Sequence, residues 1–204
     1  VVDGDTSELF SQVVGATRLS DGTIIVGDRR SHQLKYFAPD GRFLRGVGRK
    51  GTGPGEFDYM ARMLRCGDSL FVHDIGRAGH LVFGVDGGYS RLLQFQAVRP
   101  GDQPYRSACN ADGVFLHYGW AGRDGPPKVG VFRDDVPFWT TGADGAVRDS
   151  VGRFAGSERL GRANAQGRPT GSGPLPLGKE TAIALGRDRA YIGTADGYEI
   201  LVVD

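Results

Sequence analysis

The side chains of this 204-residue chain best suited to chemistry are its four histidines, its two cysteines and a set of clustered arginines. His73 and His117 hold the same position in two copies of a repeated phrase, so neighbouring repeats can bring their imidazoles together. Two imidazoles can begin a zinc or copper site, but such a site needs a third protein ligand. The alternative is a pair of histidines hydrogen-bonded within the framework. His32 and His80 follow the phrase in corresponding loops and are expected at the surface. Cys66 and Cys109 are too few for a disulfide scaffold or a zinc site. Both fall near the first turn of adjacent repeats, so a bridge and two buried thiols are both open. The sequence holds no G-x-S-x-G elbow, no GxxxxGK(S/T) phosphate loop and no HExxH motif. "RKGTGPG" at 49–55 is glycine-rich and basic, yet no strand-to-helix transition follows to cradle a phosphate. No cofactor is expected.

The elements that must position these residues come from a phrase spelled four times. "GATRLSDGTIIVGD" (15–28), "ARMLRCGDSLFVHD" (61–74), "RSACNADGVFLHY" (106–118) and "TAIALGRDRAYIGT" (181–194) each read as strand, tight polar turn, strand. Short strands recurring about every 45 residues predict β-propeller blades, with a longer gap before the fourth phrase. The first blade shows all four strands, A to D, at 16–19, 23–27, 33–37 and 42–47. Asp-Gly pairs at Asp21-Gly22 and Asp40-Gly41 supply its hairpin turns. Val26, Val72, Leu116 and Ile192 form one strand-B column, and Ile25, Phe71, Phe115 and Tyr191 the next. Both columns are apolar, so both blade faces are expected to be buried, as stacked blades require.

The expected fold is therefore an all-β β-propeller of four-stranded antiparallel blades, about three and a half to four of them present. One domain, 1–204, holds blade one at about 15–47, blade two at about 58–96, blade three at about 104–151 and a partial blade four at about 180–204. The Gly/Arg/Pro-rich stretch 152–178 is expected to be a long loop or irregular insertion, with a shorter insertion near 119–128. Val1-Val2 would finish a strand D, and 199–204 a strand C with no strand D after it, so a longer propeller is expected.

"LKYFAPDGRFLRGVGRKGTGPGEF" (34–57), read after "DGTIIVGD", resembles the NHL-type six-bladed β-propellers, most of all bacterial extracytoplasmic ones. The resemblance covers roughly the first hundred residues, and 188–204 more loosely. It implies six blades, a periplasmic or secreted location and a role as a binding platform. A minority of such propellers are lyases, lactonases or RNA binders, and fold does not choose among them.

Charge narrows the function. Net charge is +1, from 25 Lys+Arg against 24 Asp+Glu, and no apolar run approaches the ~18 residues of a membrane span. The distribution is uneven. Asp21, Asp40, Asp68, Asp86, Asp112, Asp144 and Asp188 fall in the A–B and C–D turns, whereas Arg29, Arg30, Arg77, Arg123, Arg153 and Arg159 fall in the connections at the other end of the blades. Two readings stand. Turn chemistry and loop solubility explain the pattern locally, or the arginine face receives a carboxylate or polyanion. The strand-A columns 16/61/106/182 and 17/62/107/183 contain no Asp, Glu or Asn, which disfavours a channel calcium site. Nucleic acid is disfavoured too, because the basic loops hold few aromatics for base stacking, namely Tyr59, Trp120 and Phe154. The residues point to a non-catalytic binding platform for an anionic small molecule, a polysaccharide or a protein. Its ligand-binding candidates are Arg29, Arg30, His32, Arg62, Arg77, His80, Arg106 and Arg123. The alternative is a metal-dependent lyase or hydrolase with some ligands in blades outside this chain.

Overall fold

A computed structural model describes residues 9–99, 102–120 and 127–204, and among them every regular element is a β-strand. The chain divides into two compact units between Gln94 and Phe95.

The first unit contains two four-stranded antiparallel meanders. One is β1 (Val13–Arg18), β2 (Ile24–Asp28), β3 (Gln33–Phe37) and β4 (Phe43–Val47); the other is β5 (Met60–Cys66), β6 (Ser69–Asp74), β7 (Gly79–Gly84) and β8 (Tyr89–Leu93). Their hairpins form for a local reason. Asp21, Asp40 and Asp86 each accept the amide of the residue two places on, at 2.9, 3.0 and 3.0 Å. The glycine between takes φ near +88° at Gly22 and Gly41, where a side chain would be strained. Half of the charge pattern thus has a structural origin.

Between the two sheets, Ile25, Leu34, Tyr36, Phe57, Met60, Leu70, Val72, Leu81 and Phe83 form one buried cluster. β1 runs close to β5. A Cβ on Gly15 would sit 2.7 Å from the carbonyl oxygen of Met63, so only glycine allows this approach.

The second unit holds a four-stranded sheet in the order β13-β12-β10-β9, made of β9 (Pro104–Cys109), β10 (Phe115–Gly119), β12 (Asp135–Thr141) and β13 (Val147–Ala155). A three-stranded sheet, β16 (Ala182–Leu185), β17 (Ala190–Gly193) and β18 (Leu201–Val203), follows. A third sheet is unanticipated. β11 (Gly130–Phe132), β14 (Arg159–Ala163) and β15 (Pro169–Pro174) pair antiparallel in the order β11-β14-β15. The stretch 152–178 is therefore not a loop but strand and hairpin. Gly161 misleads because β14 packs tightly there: a Cβ on it would collide with the Lys128 carbonyl.

Two further expectations change. The strand-B columns are buried in the first three phrases, but Tyr191 is 37% exposed, as are Ile200 and Val202 nearby to a greater degree. The strand-A columns also shift, because the A–B hairpins differ in length: Gly15 pairs with Gly27, Arg62 with His73, Ser107 with His117 and Ala182 with Gly193. Just before these pairs β1, β5 and β9 each carry a one-residue bulge, at Val14, Ala61 and Tyr105. Arg62 and Ser107 therefore align with Gly15 and Ala182, not with Thr17 and Ile183.

Candidate anion-binding loop ends

The connections from strand B to C and from D to the next A leave the same end of each sheet, and the bulges lie there. In the first unit two aspartates organise that end. Asp74, wholly buried at the close of β6, accepts the amides of Asp58 at 2.8 Å, Tyr59 at 3.0 Å and Arg77 at 3.2 Å. Asp28, at the close of β2, accepts the Gln12 amide at 3.0 Å and the Ser31 hydroxyl at 2.8 Å, with Lys35 Nζ at 3.6 Å. Burial pushes the Asp28 carboxyl up, but the Gln12, Ser31 and Ser11 hydrogen bonds and the Lys35 charge outweigh it, and it lies below the usual range. Each carboxylate fastens the incoming chain to the end of strand B. The residues were visible in the sequence as the last letter of the repeated phrase; their role was not.

With these aspartates turned inward, the neighbouring arginines find other partners. Arg29 donates from Nε to the Met60 carbonyl at 2.5 Å and from Nη1 to the Tyr59 hydroxyl at 3.2 Å, with its guanidinium 4.6 Å from the Tyr59 ring centre. Arg77 donates from Nη1 to the Gly53 carbonyl at 3.1 Å. Arg30 is exposed. Arg49 differs, pairing with Glu56 at 2.7 Å. The Gly53 amide, then Arg49, hold the Glu56 carboxyl below its ordinary range. His32 is half-buried at a positive φ of 54°.

His80 is not in a loop. It lies within β7, 9% exposed, as the register partner of His73 on β6, and the two rings stack 4.7 Å apart. Arg62 on β5 is the partner of His73 on the other side, so Arg62, His73 and His80 form a row across one sheet. Burial, reinforced by the Arg62 charge, lowers the His73 pKa, with Asp74 opposing.

In the second unit, Arg106 on β9 pairs with Glu180. Arg123 lies outside the described residues. His117, wholly buried on β10, uses both ring nitrogens: Nδ1 meets Ser107 Oγ at 2.7 Å and Nε2 meets Thr141 Oγ1 at 2.8 Å. Neither nitrogen is available to a metal, which corrects its candidacy as a ligand. Among the described residues no three His, Cys, Asp or Glu side chains converge on one point. Neither Cys66 nor Cys109 is a free thiol.

Burial brings the His117 pKa down from 6.5 to about 3. The unfolded chain therefore binds this proton more tightly than the folded one. His117 withdraws no stability above pH 6.5 and withdraws progressively more as pH falls from 6.5 towards 3. The loss is on the order of 1 kcal/mol per pH unit. Urea unfolding of wild type and His117→Gln, followed across that window, is expected to show the shallower pH dependence in the variant.

Comparisons with known proteins agree with this architecture. A family model described as 6-bladed beta-propeller matches residues 6–98. A crystal structure of a Bacteroides fragilis protein, named as a candidate for export, superposes with a TM-score of 0.57 at 15% identity, over 98% of this chain and 52% of that one. The chain thus spans about half the length of that protein. The crystal structure of a nidogen/laminin complex superposes with a TM-score of 0.50 at 12% identity, over 93% of this chain and 74% of that one. No curated protein sequence matches. At these identities the likeness concerns the fold, an all-β propeller with four-stranded antiparallel blades.

Proposed function

We propose that this propeller is a non-catalytic binding platform whose arginine-bearing loop ends receive an anionic ligand or an acidic protein surface. One observation carries the reading. Arg29 and Arg30 have no salt bridge to a carboxylate among the described residues, because Asp28 and Asp74 are buried on backbone amides, whereas the Arg77 charge helps to lower the Glu56 pKa. The Met60 carbonyl holds Arg29 in place without cancelling its charge, so positive potential persists at the surface. An NHL-like, bacterial, extracytoplasmic setting fits the same reading. Cysteines without free thiols suit an oxidising compartment, and the Bacteroides fragilis protein of similar fold is named as a candidate for export.

The test is binding of an oligogalacturonate across a salt series by wild type and Arg30→Glu, the exposed position that supports no packing. Wild-type affinity is expected to fall with salt over a Debye length of about 8 Å at physiological ionic strength. Arg30→Glu is expected to lose about fivefold, the size of one exposed charge pair. Affinity indifferent to salt, or equal in both proteins, overturns the reading.

A further inference from the structure

Six Asp-Gly pairs lie among the described residues, at 21–22, 40–41, 86–87, 112–113, 144–145 and 196–197. Such a pair can rearrange without an enzyme. The glycine nitrogen attacks the aspartate Cγ and a C–N bond forms. The amide proton and the carboxyl hydroxyl leave as water, and a five-membered succinimide remains. Water then adds to one of its two carbonyls and breaks the C–N bond there. One choice restores aspartate; the other gives isoaspartate, whose main chain runs through the former side chain. Nothing is oxidised or reduced, and the water lost in the first step returns in the second. A fold can oppose this at two points, by holding the glycine N–H or by holding the carboxylate.

Four of the pairs are held at both. The amides of Gly22, Gly41, Gly87 and Gly145 donate to the carbonyls of Leu19, Ala38, Gly84 and Gly142 at 3.0, 2.9, 2.9 and 2.9 Å. Asp21, Asp40, Asp86 and Asp144 each turn Oδ1 to the amide two residues on, at 2.9, 3.0, 3.0 and 3.1 Å. A carboxylate that accepts an amide is kept ionised, whereas expulsion of water needs the neutral acid. Asp196 is held by cations instead. Its Oδ1 accepts from Lys179 Nζ at 2.8 Å and from Arg133 Nη1 at 2.6 Å. The Lys179 hydrogen bond, aided by the Arg133 charge, keeps its carboxyl below the usual carboxylate range.

Asp112-Gly113, in the turn between β9 and β10, differs because of a residue two places earlier. Asn110 Oδ1 accepts the amides of both Asp112 at 3.1 Å and Val114 at 3.0 Å. Its Nδ2 donates to the Gly186 carbonyl at 3.1 Å, which fixes the orientation of the amide. The Val114 amide is the one that an aspartate at 112 would otherwise hold. The Asp112 side chain is instead 55% exposed, with Arg187 Nε 3.7 Å from its carboxylate, beyond hydrogen-bond range. The Gly113 amide reaches the Asn110 carbonyl at 3.3 Å, the longest of the five equivalent bonds. Gly113 has φ of 76°, close to the 85° to 88° of its counterparts, so the contrast lies in the side chains and not in the turn type.

We infer that Asp112-Gly113 is a site of spontaneous backbone modification, passing through the succinimide to isoaspartate faster than the other five pairs. The product carries one more main-chain carbon in the β9–β10 turn. The inference is independent of the anion-binding reading, since it concerns the opposite turns and needs no ligand.

The whole chain is aged in warm neutral buffer made with heavy-oxygen water, digested, and mapped by mass spectrometry with electron-transfer fragmentation. Each passage through a succinimide installs one heavy oxygen, and isoaspartate yields its own backbone fragments. A parallel incubation in guanidinium chloride removes the fold. In the folded protein Asp112 is expected to lead each of Asp21, Asp40, Asp86, Asp144 and Asp196 by at least about fivefold, the factor that one net hydrogen bond contributes. In denaturant the six are expected to draw level. A folded protein in which any of the five keeps pace with Asp112 overturns the inference. So does an equal lead for Asp112 in denaturant, which would place the cause in the neighbouring sequence and not in the turn.

Discussion

Replacing Asp74 by alanine is expected to destabilise the first unit by about 3–5 kcal/mol, far more than removing a turn aspartate such as Asp21. Three amides, from Asp58, Tyr59 and Arg77, converge on the Asp74 carboxylate between 2.8 and 3.2 Å. Alanine leaves them without partners in a part-buried setting, where each orphaned donor costs about 1–3 kcal/mol to the extent that water cannot reach it. Asp21 is exposed and holds the single amide of Thr23. Asp74→Asn separates charge from shape: its carbonyl oxygen still accepts, but its amide nitrogen faces donors, so an intermediate loss is expected. Urea unfolding of the three variants measures the ranking. An Asp74→Ala protein as stable as Asp21→Ala would show that the amides find other partners. The same change should loosen the chain at Tyr59, on which Arg29 rests.

Trp139→Ala is expected to cost the second unit about 3–5 kcal/mol, the range for deleting a large buried aromatic side chain. Trp139 is wholly buried on β12, opposite His117 in the register, with its ring 5.4 Å from the imidazole. Its Nε1 donates to the Gln96 carbonyl at 2.9 Å, tying the segment before β9 to the sheet. For a chain of this size the thermal midpoint should fall by roughly 10 °C or more. Trp139→Phe retains most of the packing but leaves the Gln96 carbonyl short of a donor, so its midpoint should lie between those of wild type and alanine. Calorimetry decides the order. A Phe variant as damaged as the alanine variant would place the cost in the hydrogen bond and not in the packing.

The sequence by itself determined the sheets built on the repeated phrase, though not the sheet of β11, β14 and β15. Asp-Gly turns set hairpins through contacts two residues long, as at Asp40 and Arg42, and the apolar columns around Val26, Val72 and Leu116 set which strands meet back to back. Both signals are local or periodic, and both survive reading in one dimension. Tertiary structure decided the rest. The bulges at Val14, Ala61 and Tyr105 re-aim only the start of strand A, and the unequal lengths of the A–B hairpins decide which of its residues share a column. β14 looks like loop because close packing against 128–129 demands glycine at 161, and β15 because it is exposed and carries no apolar face. The arginines were legible as a cluster, but their charge state as a surface was not. It depends on whether Asp28 and Asp74 face them or face the backbone, and on carbonyls 24 to 31 residues away in the chain. Arg159 was one basic residue among many in the sequence; its burial against Trp120 is what the folded second unit alone makes of it.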